Sequence, residues 1–184
     1  MKHSEVKDKI IDTASELFYR KGYNSTGINE IIAEAGIAKA TLYNHFKSKD
    51  EICIAYLQSM NSTFLRDIAA FCRGREKGKE QILAIFDFLQ EFYQTSVFNG
   101  CWCIKTVAEV PKDNEGIRGE IKRQKNLFIQ VIADLIGENL GTEEQHTSKV
   151  RQIYLLYEGA VSESHLHQAD WPIAEAKRIC EAVI

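Results

Sequence analysis

Apolar side chains recur at helical spacing along almost the whole of this chain. The first example is a set near the start, where Val6, Ile10, Ala14 and Leu17 lie three or four residues apart. Residues at this spacing share one face of a helix. Similar patterns run at about 28–35, 39–46, 49–72, 115–138 and 144–166. The alternation typical of strands is missing from the sequence, and only two prolines occur. The sequence therefore predicts an all-α fold.

Size, charge and cysteine usage limit the class of protein. The 184 residues are 45% hydrophobic, enough to bury a sizeable core. Residues 1–50 carry a net charge of +1 and the remainder −4, so a DNA-binding surface would have to be a local patch. No run approaches the roughly 20 apolar residues of a membrane helix, and the start does not resemble a secretory signal. Five cysteines without a disulfide spacing indicate free thiols, so we expect a cytoplasmic protein without membrane contact.

Two short helical segments separated by Gly36-Ile37-Ala38 predict a helix-turn-helix, in which the second helix enters the DNA major groove. In this second segment, Leu42 and Phe46 are four residues apart and should both be buried. Helical geometry then directs Ala40, Thr41 and Asn44 to the opposite side.

The polar residues of this segment suit nucleic-acid recognition. Threonine can contact several bases, and asparagine can form a bidentate pair with adenine. Tyr43 and His45, at the edges of the exposed face, could reach phosphates. Lys47 and Lys49 lie beside the start of the next helix, where free backbone N–H groups also favour a phosphate. Ser48 and Glu51 have the spacing of a capping box for that helix.

Residues 6–52 resemble the N-terminal domain of the TetR family of bacterial transcriptional regulators. The matching stretches are "AxELFYRKGYNST" and "INEIIAEAGIAKATLYNHFKSKDEI". The resemblance implies a three-helix helix-turn-helix DNA-binding domain over residues 1–50. It also implies a helical effector-binding and dimerisation domain over residues 51–184, and a function as a ligand-responsive regulator, usually a repressor.

The resemblance also assigns roles to individual residues. The positions that the family uses in the major groove are Lys39, Ala40, Thr41 and Asn44. The positions that it commonly uses to bind phosphates are Tyr43, His45 and Lys49. Gly27 and Ala38 depart from the family pattern, which usually has Thr and Ser there, each near a helix N-cap. Loss of a serine-type cap at Ala38 should cost about 1 kcal/mol of local stability.

A recognition helix of seven or eight residues contacts few base pairs, so specific binding needs two copies. We therefore expect a homodimer on a palindromic operator. In the segments at 115–138 and 144–166, apolar residues cover more of the helix surface than a single core-facing stripe would. By resemblance, these two helices from each subunit would form a four-helix bundle; the alternative is that both belong to the core of a single chain.

The C-terminal region of the family usually encloses a small-molecule pocket, and the ligand shifts the helix that follows the helix-turn-helix. In this chain that helix would be about residues 49–72. Taken as a set, the inward-facing aromatic residues suggest an apolar or aromatic effector, although any single aromatic at helical spacing is more often ordinary core. The candidate pocket residues are Phe64, Phe86, Tyr93, Phe98, Trp102, Tyr154 and Trp171.

The stretch "NGCWCIKTVAEV" suggests a second kind of effector. Cys101 and Cys103 lie near Lys105 in sequence, and a neighbouring cation can activate a thiol. One alternative function is therefore a thiol- or oxidant-sensing regulator, and the competing interpretation is two structural cysteines. A direct disulfide is disfavoured, because residues two apart on a helix face different ways.

Other classes of protein have little support in the sequence. His165 and His167 are two residues apart, which does not suit a metal site on a helix. The sequence has no phosphate-binding glycine loop, nucleophile elbow or HExxH motif. We therefore predict no metal, no cofactor and no enzymatic activity. A helical dimerisation protein that does not bind DNA would explain the long helices but not Tyr43, Asn44 and His45 beside two lysines.

Overall fold

The structure is a computed structural model that describes residues 3–140 and 146–184. In this part of the chain every regular element is a helix, which confirms the all-α prediction. The helices are α1 (His3–Lys21), α2 (Ile28–Glu34), α3 (Lys39–His45), α4 (Lys49–Arg73), α5 (Lys79–Tyr93), α6 (Trp102–Glu109), α7 (Glu115–Leu140), α8 (His146–His167) and α9 (Trp171–Val183). The predicted helix at 144–166 therefore corresponds to α8, and its first two predicted residues lie outside the described ranges.

The chain forms two compact units. The first comprises the described residues up to Ser62 together with Trp102–Gln124. The second comprises Thr63–Cys101 and the described residues from Lys125 onward. Residue 50, the predicted boundary between the two domains, lies within the first unit near the start of α4. The assignment of DNA binding to residues 1–50 and of effector binding and dimerisation to 51–184 stays a prediction.

In the first unit, the apolar stripe of α1 packs into the core. Ile10, Ala14, Leu17 and Phe18 are buried, as are Ile31 of α2 and Tyr56 of α4. Gly22 and Gly36 follow α1 and α2 with φ angles of 91° and 59°, in the left-handed region where glycine ends a helix without strain. These turns separate the first three helices, so that α2 and α3 form the predicted helix-turn-helix.

The second unit has its own hydrophobic core, which draws residues from α4, α5, α7, α8 and α9. Its largest members include Phe86 and Leu89 of α5, Phe128 and Ile132 of α7, and Tyr157 of α8. Among the described helices, none combines the length and apolar character needed to cross a bilayer.

Candidate nucleic-acid interface and effector region

Two buried side chains anchor α3 to the first unit. Leu42 is fully buried and Phe46 is only 4% exposed, which confirms the prediction that both face inward. The helix ends at His45, and Phe46 has an extended backbone with φ −138° and ψ 127°. Because both anchors lie on one side, the opposite side of α3 is left for solvent or a partner.

The exposed side of α3 carries the residues predicted to contact DNA. Lys39, Ala40, Tyr43 and Asn44 are exposed, and Tyr43 keeps 44% of its surface accessible. Thr41, by contrast, is half-buried. His45, the remaining predicted contact on α3, is also half-buried. The structure therefore places small, amide and phenol groups on one short exposed surface, and their contacts with DNA stay predictions.

The helices of the helix-turn-helix begin without side-chain caps. Gly27 and Ala38 are the N-cap residues of α2 and α3, as predicted, and neither has a side-chain capping hydrogen bond. Both have the extended backbone of an N-cap, with ψ near 150° (151° and 149°). Backbone N–H groups at the start of α3 therefore lack the hydroxyl acceptor that a serine at residue 38 would supply.

The start of α4 is capped by side chains. The Glu51 N–H donates to Ser48 Oγ at 3.2 Å, and the Lys47 N–H donates to Glu51 Oε2 at 2.7 Å. The arrangement resembles the predicted capping box, except that the Glu51 carboxylate accepts from Lys47 instead of from the N-cap residue. The Lys47 backbone is therefore engaged within the turn, while its side chain is exposed.

Lys49 contacts an aromatic ring that sequence analysis did not connect with it. Its ammonium lies 4.2 Å from the centroid of the Tyr23 ring, a cation–π contact, and burial lowers the pKa of Lys49. The Tyr23 hydroxyl donates to the Asp50 carboxylate. Burial, followed by that hydrogen bond, raises the pKa of Tyr23. Lys49 therefore joins the turn after α1 to the start of α4, and its predicted phosphate contact is not tested by this arrangement.

Helix α6 and the turn after it contact α1, the α1–α2 turn and α4. Lys105 Nζ donates to the Tyr19 carbonyl at 2.9 Å, and the Asn24 N–H donates to Glu109 Oε2 at 2.6 Å. Sequence analysis missed these contacts, because Lys105 and Glu109 lie 86 and 85 residues from their partners. Their spacing of four residues on one helix was the one signal available.

The predicted pocket residues fall into separate groups. Phe64, Phe86 and Tyr154 belong to an aromatic cluster around Phe128 and Tyr157, whose ring centroids are 4.8 Å apart. Tyr93 and Phe98 form a second group, with centroids 5.1 Å apart. Trp171 is exposed and lies beside His167. Trp102 belongs to the first unit, where its indole N–H donates to Gln124 at 3.4 Å.

Cys101 lies against a partly buried ion pair in the second unit. Lys125 Nζ is 3.2 Å from Cys101 Sγ and 2.7 Å from both carboxylate oxygens of Glu158. Lys125 and Glu158 side chains are each only 18% exposed. The ammonium bonded to Cys101 is thus that of Lys125, whereas Lys105, the cation singled out from sequence, bonds to Tyr19.

The other cysteines are placed differently. All five are free, as predicted. Cys103 is buried and donates to Gln124 Oε1 at 3.4 Å. Burial raises the pKa of Cys53, Cys72 and Cys180 to about 12. These three thiols therefore stay protonated near neutral pH.

The two histidines near the end of α8 have different neighbours. The ring of His165 lies beside Phe98, with centroids 6.2 Å apart, and against Gly100. His167 lies 3.3 Å from a carboxylate oxygen of Glu163. No group of three metal-ligating side chains occurs in residues 3–140 and 146–184 that could bind an ion.

An all-helical chain that presents α3 on two buried anchors has the form of a helix-turn-helix DNA-binding protein. Comparison with known proteins identifies its class. Residues 10–56 match the family described as "Bacterial regulatory proteins, tetR family". The HTH-type transcriptional repressor NemR of Escherichia coli K12 is 23% identical over 187 aligned residues, covering 95% of this chain and 92% of that protein. The Staphylococcus aureus icaADBC negative regulator IcaR is 40% identical over 87 residues, covering 47% of this chain and 45% of that protein.

Solved structures share the fold over nearly all of the chain. SCO4454, a TetR-family regulator from Streptomyces coelicolor, is 25% identical with a TM-score of 0.86, covering 98% of this chain and 94% of that one. The reduced form of E. coli NemR is 19% identical with a TM-score of 0.86, covering 97% of each chain. The chain is a DNA-binding transcriptional regulator. Residues 10–56 carry the TetR-family match, and SCO4454, which shares the fold over 98% of this chain, is a TetR-family regulator.

Proposed function

We propose that this chain is a repressor that binds a palindromic operator as a homodimer and is released by a small-molecule effector. The observation that carries the proposal is the exposed side of α3, which the burial of Leu42 and Phe46 makes available to a DNA groove. Repression is supported by the names of the two relatives, NemR and IcaR, which are a repressor and a negative regulator. Regulators of this family bind operators as dimers and respond to small molecules.

The proposed contacts divide into two kinds. Base edges in the major groove are contacted by Lys39, Ala40, Thr41 and Asn44. Phosphates are contacted by Tyr43, His45, Lys47 and Lys49. The first set selects the sequence, whereas the second fixes the protein on the duplex whatever its sequence.

Exposed apolar residues on the second unit support dimerisation. Leu155 and Leu166 of α8 are 66% and 71% exposed, and Trp171 and Ile179 of α9 are also exposed. On α7 the corresponding large exposed residue is Leu127. Exposed apolar patches on a soluble protein favour a protein contact. We therefore place the subunit interface on α8, the segment predicted at 144–166, together with α9 in place of the segment at 115–138.

An interface variant tests this part of the proposal. Leu155→Glu combined with Leu166→Glu should convert the dimer to a monomer in sedimentation experiments, because two buried charges would lack partners. The matched control is Val97→Glu, which changes another exposed residue of the second unit outside α8 and α9. A dimer that persists in the double variant would place the interface elsewhere.

An apolar or aromatic effector would bind within the second unit. The cluster formed by Phe64, Phe86 and Tyr154 with Phe128 and Tyr157 offers apolar and aromatic faces. Helix α4 carries Lys49 at its start and Phe64 further along, so one continuous helix links the proposed DNA-binding segment to that cluster. The effector can change the affinity for the operator only by the factor by which it binds one position of α4 more tightly than another.

The central experiment is binding to a labelled duplex taken from the region upstream of the chain's own coding sequence. The wild-type protein should prefer this duplex over competitor DNA, and the affinity should fall steeply with salt because lysines release counterions from phosphates. A helical dimerisation protein that does not act on DNA would show neither preference nor salt dependence. That result would reject the proposal.

A second candidate effector is an oxidant such as hydrogen peroxide. The specific observation is the 3.2 Å distance from Cys101 Sγ to Lys125 Nζ, because a neighbouring ammonium stabilises a thiolate over a thiol. The Cys101 thiolate would attack one peroxide oxygen, forming an S–O bond and breaking the O–O bond. The other oxygen leaves as hydroxide and takes a proton to become water, so that a sulfenic acid remains.

Cysteine variants separate this candidate from the apolar effector. Peroxide should weaken operator binding by the wild type and by Cys103→Ser, but not by Cys101→Ser or by the Cys101→Ser, Cys103→Ser double variant. Cys72→Ser is a matched control, since burial raises the pKa of that thiol to about 12. A response that persists in both Cys101 variants would remove the oxidant candidate and leave the rest of the proposal intact.

A further inference from the structure

We propose that Lys105 and Glu109 of α6 are positioning residues for DNA recognition. They contact no DNA themselves; they act by fixing the end of α1 and the turn that leads into α2. This inference rests on the proposed function, since it concerns how the helix-turn-helix is oriented on its operator. All the residues involved lie within the first unit.

The two residues share one face of α6, a single turn apart, and contact neighbouring points of the chain. Lys105 Nζ donates to the carbonyl of Tyr19, in the last turn of α1, at 2.9 Å. Glu109 Oε2 accepts from the Asn24 N–H at 2.6 Å, and the Asn24 side-chain amide donates to the Glu109 carbonyl at 3.1 Å. Three hydrogen bonds therefore join α6 to residues 19–24.

These contacts satisfy groups that the local backbone leaves open. The last carbonyls of a helix have no partner within the helix, and a cation there is favoured by the helix dipole. Lys105 supplies that cation for α1, and burial lowers its pKa while the charge of Glu109 opposes that change. Glu109 meets the turn at Gly22, where the absence of a Cβ leaves room for the carboxylate to lie directly against the backbone.

The turn after α6 adds a further connection. Asn114 Nδ2 donates to Asp50 Oδ2 at 2.8 Å, and the other oxygen of that carboxylate accepts from the Tyr23 hydroxyl. The segment from Lys105 to Asn114 thus contacts α1, the α1–α2 turn and α4. Since α2 begins at Ile28, four residues after Asn24, the direction in which the helix-turn-helix leaves α1 depends on these contacts.

The test begins with the wild-type protein on the upstream duplex and on a scrambled duplex of the same length. Two variants are then compared with controls of equal charge change: Glu109→Ala with Glu115→Ala, and Lys105→Met with Lys122→Met. Both control residues are exposed on α7 within the first unit. The readouts are affinity for each duplex, the rate of amide hydrogen exchange over residues 22–27, and the melting temperature.

We expect Glu109→Ala and Lys105→Met to bind the upstream duplex about fivefold to tenfold more weakly than their controls, the size of one typical hydrogen bond. Binding to the scrambled duplex should match the controls, and exchange at residues 22–27 should be faster. Glu109→Gln keeps an acceptor for the Asn24 N–H, so it should recover most of the specific affinity. A purely structural role would lower the melting temperature without changing the ratio of specific to non-specific binding.

The outcomes separate the two proposals. A wild-type protein with no preference between the duplexes would reject the proposed function, and this inference with it. A wild-type preference that is unchanged in Glu109→Ala and Lys105→Met, relative to their controls, would reject only the role of α6. If Glu109→Ala does not fold, the ratio of specific to non-specific DNA binding in Lys105→Met decides the question.

Discussion

The exposed face of α3 and the Cys101 cluster of the second unit are built in opposite ways. In α3, anchors and candidate contacts come from successive residues of one short helix, Lys39–His45, and the residue after it. The Cys101 cluster joins three separate parts of the chain, since Lys125 lies 24 residues from Cys101 and 33 from Glu158. A surface confined to one helix can be inferred from sequence spacing, whereas a cluster assembled across elements cannot.

The two regions also differ in the exposure of their charged side chains. Lys39 and Lys47 are exposed and keep their hydration, so substitution there should change DNA binding more than stability. Lys125 and Glu158 are largely buried and depend on each other. Removing one partner of such a pair leaves the other charge uncompensated, which costs more than the pair itself contributes.

The largest expected effect tests the anchoring of α3. Leu42→Ala removes a fully buried side chain, and should lower the free energy of unfolding by about 3 kcal/mol. Urea unfolding measures this change. The adjacent Tyr43→Ala, at an exposed position, should stay within about 0.5 kcal/mol of the wild type. Equal stability of the two variants would mean that α3 is not anchored through Leu42.

The next effect tests the partly buried ion pair between Lys125 and Glu158. Lys125→Met should destabilise the protein by about 2 kcal/mol, less than a fully buried pair would cost because both side chains retain some exposure. The double variant Lys125→Met, Glu158→Leu should recover part of that loss, since no charge is then left without a partner. Thermal unfolding of the single and double variants measures this. If the double variant is less stable than Lys125→Met, the pair is not the source of the effect.

A smaller effect tests which residues of α3 contact bases and which contact phosphates. Asn44→Ala should weaken discrimination at one base pair of the operator by about 1–3 kcal/mol, because a bidentate contact is lost. Tyr43→Ala should instead weaken binding to all duplexes about equally. Binding to a set of single-substitution operators measures both. An unchanged preferred site in Asn44→Ala would show that this amide does not contact a base.

The smallest effect concerns the uncapped start of α3. Ala38→Ser supplies a hydroxyl at an N-cap whose backbone is already extended, and should stabilise the protein by about 1 kcal/mol. Gly27→Ser should gain only a few tenths, since glycine is already tolerated at that position. Urea unfolding measures both variants. Destabilisation by Ala38→Ser would indicate that the hydroxyl cannot reach the N–H groups of α3.

Sequence reasoning recovered the local features and missed the contacts between distant residues. The helices, the burial of Leu42 and Phe46, and the cap positions at Gly27 and Ala38 all follow from spacings of a few residues. The Tyr23–Asp50–Asn114 hydrogen bonds span 27 and 64 residues. Nothing in a helical pattern specifies which helices meet, so Lys125 could not be identified as the partner of Cys101.

Gly22 illustrates how such distant contacts limit variation. Its backbone has a φ of 91°, and a methyl group added at its Cα would collide with the Glu109 carboxylate. Because L side chains rarely adopt this φ and any of them would displace the Glu109 carboxylate, a library of all substitutions at residue 22 should strongly favour glycine in variants that still bind DNA. The same library in a Glu109→Ala background should recover asparagine first, because that residue tolerates a left-handed backbone once the carboxylate is gone.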